Sequence, residues 1–189
     1  MKIVLGSSSP WRKKLFAELG LDFETMSPDI DEKAIRRERP EELVLAIAEA
    51  KNQAIRGRLR EPAVIVTSDQ VVVADGRVLE KPRDQAEARR FVSRVGDHPA
   101  STVTAVVAVN TATGRTAKAV DVVEIIMDPL PEEVIGRLLR QENIYGCAGG
   151  LAIEDPLIQP YIRRVNGGID SVQGLPKALT KRLIEEVTS

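Results

Sequence analysis

The chain has 189 residues, 43% of them apolar and 29% charged, with a net charge of −1. That is ordinary globular composition, and the near-neutral balance excludes the broad basic field of a nucleic-acid-binding protein. The 3% aromatic content supplies no base-stacking platform, the single cysteine, Cys147, forms no internal disulfide, and no apolar run has the length of a signal-peptide core or a membrane span; the expectation is a cytoplasmic protein with neither a membrane nor a nucleic-acid polymer as partner.

Residues 2–5 read as a strand ending at Gly6. Ser9 caps a helix over residues 9–19, with Pro10 at its first position and Gly20 as its stop. Leu15, Phe16 and Leu19 share its inward face. Residues 22–27 alternate as a strand. Pro40 opens a long helix that carries Leu43, Ile47, Ala50 and Ala54 to about Gly57. Residues 63–67 form an apolar strand buried on both faces, ending at Ser68-Asp69. Residues 70–74 and 77–79, joined by Asp75-Gly76, predict a hairpin on a type I′ turn, and a helix follows from about Gln85 to Val95. The β-branched runs 101–109 and 119–126, linked by residues 110–114, predict a second hairpin. Pro131 opens a helix through Val134, Ile135, Leu138 and Leu139. Residues 146–150 are glycine-rich and irregular, and Pro176 opens a last helix with Leu179, Leu183 and Ile184 inward. With no repeat and no linker, one α/β domain over residues 1–189 with a mixed sheet is the expectation.

Several residues carry chemistry in this pattern. Arg12, Lys13 and Lys14 stand in the first turn and a half of the first helix, where the helix dipole disfavours cations. An anion held at the serine-rich helix start, a polyphosphate above all, explains them; so does a helix start whose cations simply face solvent. Trp11 either packs in the core or offers a flat face to a base. Asp29-Ile-Asp-Glu32 is either a set of magnesium ligands beside a phosphate or a solvated acidic loop. Asp69, just past the end of a buried strand, stands either at a ligand site or in a turn. Lys51 and Lys81, each alone, read as surface lysines; beside phosphates each is a mobile point charge. Glu154 either accepts from the Watson–Crick edge of guanine or closes a strand. His98, the only histidine, is a loop residue, and neither a serine–histidine–acid set nor a P-loop can be built.

Seven stretches in order resemble the Maf family of nucleoside-triphosphate pyrophosphatases: Leu5-Gly-Ser-Ser-Ser-Pro-Trp-Arg12, Asp29-Ile-Asp-Glu32, Leu45-Ala-Ile-Ala-Glu-Ala-Lys51, Ser68-Asp-Gln70, Glu80-Lys-Pro82, Cys147-Ala-Gly149 and Gly174-Leu-Pro176. The resemblance runs from Lys2 to about Leu183. It implies an α/β fold like that of the inosine-triphosphate pyrophosphatases, a mixed twisted sheet with flanking helices and two lobes around a cleft, often as a homodimer. It implies hydrolysis of a nucleoside triphosphate to the monophosphate and pyrophosphate with magnesium or manganese. By resemblance, Ser8, Arg12 and Lys13 hold phosphates, Glu32 and Asp69 bind the metal, Asp69 is the general base, and Lys51 and Lys81 neutralise phosphoryl charge. Such chemistry needs an in-line water, a metal and cations around developing charge.

Three departures from the commonest family pattern bear on substrate. Trp11 stands where many members have arginine, Gln70 where many have threonine, and Glu154 where many have glutamine. The trio is similar to the 7-methyl-GTP-preferring subgroup, with Trp11 stacking on the methylated purine and Glu154 pairing with its edge. The stretches 149–156 and 167–172 are also similar to a Maf-like branch of plants and some bacteria, and Val95-Gly-Asp97 replaces the usual Ser-Gly-Arg type of turn. The alternatives are a dTTP/UTP-type pyrophosphatase, or a nucleotide-binding regulator of cell division without turnover.

Overall fold

A computed structural model describes residues 1–189. The sheet is mixed and has seven strands: β1 (Ile3–Gly6), β2 (Glu24–Thr25), β3 (Val64–Ala74), β4 (Arg77–Leu79), β5 (Ala100–Asn110), β6 (Thr116–Met127) and β7 (Ile162–Asn166). Their order is β2-β1-β3-β5-β6-β7, with β4 paired to β3 off that path. β1 runs parallel to both β2 and β3, while the β3–β4 and β6–β7 pairs are antiparallel. The helices are α1 (Pro10–Ala17), α2 (Pro40–Arg56), α3 (Gln85–Asp97), α4 (Glu132–Leu138), α5 (Ile169–Val172) and α6 (Lys177–Thr188).

Backbone contacts group into two compact units. One comprises Met1–Asp69, Thr104–Asp121 and Gln173–Ser189; the other comprises Gln70–Val103 and Val122–Val172. The core of the first gathers Leu5, Leu15, Phe16, Val66, Val106 and Leu183, and Phe16 stacks at a tilt on Phe23 with ring centroids 4.8 Å apart. The core of the second gathers Val72, Val92, Ile125, Leu138, Ile144 and Ile158. No helix is long and apolar enough to cross a membrane.

The local signals work through ordinary chemistry. Ser9 caps α1, its side chain accepting from the Arg12 amide, with Pro10 at the first helical position. Asp75 and Gly76 both have positive φ, 50° and 66°, as a type I′ hairpin turn requires. Gly114, at φ 78°, closes the β5–β6 connection by donating to the Asn110 carbonyl at 2.8 Å.

Several expectations are corrected. The first strand of the expected 70–79 hairpin is continuous with the run before it, so β3 is eleven residues long and Ser68-Asp69 lie within it, not past its end. The polar residues that signalled a stop are buried and hydrogen-bonded: Ser68 Oγ donates to the Gly174 carbonyl at 3.0 Å and Asp69 Oδ1 accepts from Lys51 Nζ at 2.7 Å. The alternating run 22–27 pairs only through Glu24–Thr25. α1 ends at Ala17, short of Leu19. Gly96 and Asp97 form no turn but the last residues of α3, where a Cβ on Gly96 would meet the Pro129 Cα at 3.0 Å. β7 and α5 carry no signal strong enough to predict; β7 has one ladder partner, and its Arg163-Arg164 pair interrupts any apolar alternation.

Candidate active site

The first unit assembles a compact charged cluster. α2 places Leu43, Ile47, Ala48, Lys51, Asn52 and Ile55 on one buried stripe. Lys51 therefore points inward and is 4% exposed, which overturns its reading as a surface lysine. Its Nζ lies 2.7 Å from Asp69 Oδ1 and 2.9 Å from Glu32 Oε1. Asp69 comes from the middle of β3 and is 6% exposed, not a turn residue. Glu32 stands at the start of a single 3₁₀ turn, Glu32–Ala34, capped by the Asp31 side chain on the Lys33 amide at 3.1 Å. The segment before it is pinned at Asp29, whose backbone is left-handed (φ 49°) and whose carboxylate accepts from Ser27 at 2.5 Å and from Arg58 at 3.0 Å. The acidic run is thus an ordered support with one carboxylate, Glu32, on Lys51.

Arg12 explains part of the charge at the start of α1. Its Nε donates to the Gly174 carbonyl at 2.9 Å and its Nη1 to the Ser68 carbonyl at 2.8 Å. The guanidinium thereby ties the chain before α6 to β3, and Ser68 Oγ reinforces the tie on the same Gly174 oxygen. Burial pushes the Arg12 pKa down, while Asp69 and Glu32 pull it up. Gly174, at φ 100°, adopts a backbone that favours glycine. Ser68 and Gly174 are residues of the cluster that no role had been read for; the Gly174-Leu-Pro176 stretch carried the signal.

Desolvation is the largest influence on Asp69 and pushes its carboxyl above the usual range, against the pull of Lys51 and Arg12; Glu32 adds to the rise. A carboxylate with a raised pKa is a better proton acceptor than a free one. Glu32 and Asp69 place oxygens on one and the same ammonium, while no cluster of three or more histidine, cysteine, aspartate or glutamate residues exists that could cage a metal by itself. A magnesium ion commonly takes one or two carboxylates and draws its other ligands from water and substrate phosphate. Two convergent carboxylates beside a lysine fit that donor set.

At the start of α1, Ser8 is exposed, Lys13 half-buried, and Trp11 39% exposed, so the tryptophan is no core residue. In the second unit, Lys81 and Glu154 both act on the Cys147 thiol, and the Gly149 amide donates to the Glu80 carbonyl at 3.0 Å. The Glu-Lys-Pro and Cys-Ala-Gly stretches are therefore neighbours in space. Glu154 sits in a turn, not at a strand end. Gln70 follows Asp69 on β3, where the pleat sends adjacent side chains to opposite faces. Its Nε2 donates to the carbonyls of Ser171 and Val172 at 2.7 and 3.1 Å, so its amide protons brace the backbone at α5.

Residues 2–187 match the family model described as Maf-like protein. The chain belongs to the Maf family. A "7-methyl-GTP pyrophosphatase" of Dictyostelium discoideum is 38% identical, the match covering 98% of this chain and 97% of that one. A "dTTP/UTP pyrophosphatase" of Vibrio vulnificus is 35% identical, covering 98% of each chain. Among solved structures, a nucleoside-triphosphatase / dITP/XTP pyrophosphatase from Mycobacterium abscessus aligns at 15% identity with a TM-score of 0.46, covering 100% of this chain and 97% of that one. This Maf protein is a nucleotide pyrophosphatase: it converts a nucleoside triphosphate to the monophosphate and pyrophosphate.

Proposed function

We propose that this Maf pyrophosphatase acts on a modified purine triphosphate, 7-methyl-GTP above all, with Asp69 as general base. The observation that carries the reading of the reacting centre is the buried Lys51 held by both Glu32 and Asp69, with Arg12 beside them. Asp69 takes the proton of the water that attacks the α-phosphorus as the bond to the bridging oxygen of the β-phosphate breaks. Lys51 keeps countercharge against both carboxylates while this happens, and its charge together with that of Lys81 offsets the phosphoryl oxygens. Ser8, Arg12 and Lys13, at the positive end of α1, hold the remaining phosphates. Glu32 and Asp69 would hold a magnesium or manganese ion, which when bound supplies Lewis-acid stabilisation of phosphate charge.

For the base, the support is threefold: the exposed Trp11 on α1, the carboxylate of Glu154, and the name of the 38%-identical Dictyostelium relative. Trp11 stacks on the electron-poor methylated ring and Glu154 accepts from N1–H and the exocyclic amine. A second reading, a dTTP/UTP pyrophosphatase, is favoured by the 35% identity to the Vibrio relative. A pyrophosphate-release screen over 7-methyl-GTP, GTP, UTP, CTP and dTTP with magnesium separates the two. The proposal expects the highest kcat/KM on 7-methyl-GTP, and a shift toward the pyrimidine triphosphates in Glu154→Gln. A wild-type preference for dTTP or UTP contradicts it.

A further inference from the structure

Trp11 and Lys14 lie three residues apart on α1, so helix geometry stacks one above the other. The Lys14 ammonium sits 5.6 Å from the centre of the Trp11 ring, within reach of the ring's negative face. Glu18, one turn on at the C-cap of α1, is bound by Lys177 at 2.7 Å. The ring is 39% exposed and therefore open to a ligand, yet it already has a cation of the protein's own.

We infer that Lys14 is a specificity-determining residue: its ammonium competes with a positively charged base for the face of Trp11 and lowers the preference for an N7-methylated purine over neutral guanine. This rests on the reading of Trp11 as the surface on which the base stacks. Below neutral pH the N7-methylated ring is a cation. On Lys14's side of the indole it must displace the ammonium; on the other side it shares the same quadrupole with it and is repelled across the ring. Neutral guanine on Lys14's side must displace the ammonium as well, but on neither side is it repelled by it, so the repulsion alone separates the two bases. Lys14 thus acts against charge on the base and not against its shape, and it gives the chain a purine site less selective for the methylated form than Trp11 alone would make it.

Trp11 is the only tryptophan, so quenching of its fluorescence reports contact with the base directly. The test titrates 7-methyl-GTP and GTP into wild type, Lys14→Gln and Lys14→Arg, below neutral pH and without added metal. Calorimetry in parallel counts binding that leaves the indole untouched. In Lys14→Gln the affinity ratio of 7-methyl-GTP to GTP rises about two- to five-fold, the size of an exposed cation–π contact. In Lys14→Arg it stays at the wild-type value. Quenching in wild type with an unchanged or lower ratio in Lys14→Gln overturns the inference while leaving Trp11 in the base site. Equal weakening of both nucleotides also overturns it and makes Lys14 a phosphate contact. Calorimetric binding of both nucleotides with no quenching removes Trp11 from the base site, and the inference falls with it.

Discussion

Burying an ammonium is tolerable only beside opposite charge, and Lys51 has two carboxylates for it. Removing the lysine leaves Asp69 buried with its strongest neutralising neighbour gone. Lys51→Met is expected to lower stability by roughly 3–5 kcal/mol at neutral pH. The pH dependence has a definite sign. Burial already raises the folded pKa of Asp69, so folding favours its protonated form; that contribution is full below the ordinary value of 3.8 and is lost as pH rises through the raised value. Without Lys51 the folded value climbs further, so the deficit of Lys51→Met shrinks as pH falls toward 4, as urea melts over a pH series would record. A deficit that is constant with pH would mean that Asp69 is not the group left uncompensated. Cys147 makes a second case. Burial first, then Glu154 and Asp155, push its thiol up to about 11, against the pull of Lys81. Its reaction with a disulfide reagent at pH 8 is expected to be at least ten-fold slower in the native protein than in urea-unfolded chain.

Among the elements, α2 and β3 supply the Lys51–Asp69 pair, and β1 lies parallel to β3 along its whole length, from Ile3 to Gly6. A Cβ on Gly6 would stand 2.3 Å from Ile55 Cδ1 and 2.5 Å from Thr67 Cγ2, so the close approach of β1, α2 and β3 requires glycine there. Gly6→Ala is expected to cost about 1–3 kcal/mol by overpacking, read as a lower urea midpoint at unchanged m-value. How far the sequence carried is clearest at this scale. The proline-opened, strongly periodic α2 was legible at both ends to within a residue or two, α6 was legible at its start, and so was the Asp75-Gly76 hairpin turn. β3 was not, because Ser68-Asp69 look like a strand end until Gly174 and Lys51 supply their partners from distant sequence. Lys51 reads as a surface lysine by residue type alone, although its spacing of four from both Ile47 and Ile55 sets it on the buried stripe. β7 was invisible because its one-sided pairing to β6, not its own pattern, makes it a strand.

Over the whole molecule, seven short stretches spread across the chain were enough to point to the family, and a family match over residues 2–187 agrees with them. Their meaning divides between chemistry and architecture. Glu32, Lys51 and Asp69 converge on one another, whereas Ser68 and Gly174 belong to the tie that Arg12 makes between β3 and the chain before α6. Sequence order alone cannot separate these roles, since a cation held by carbonyls and one held by carboxylates look the same in one dimension. We propose Asp69, poised by Lys51, as the group that performs the proton transfer in nucleotide hydrolysis. The most direct measurement is pyrophosphate release from 7-methyl-GTP with magnesium by Asp69→Asn beside wild type, with far-UV circular dichroism showing the fold retained. A loss of about 10²- to 10⁴-fold in kcat is predicted, the range for removing a general base; turnover at the wild-type rate by a folded Asp69→Asn protein would contradict it.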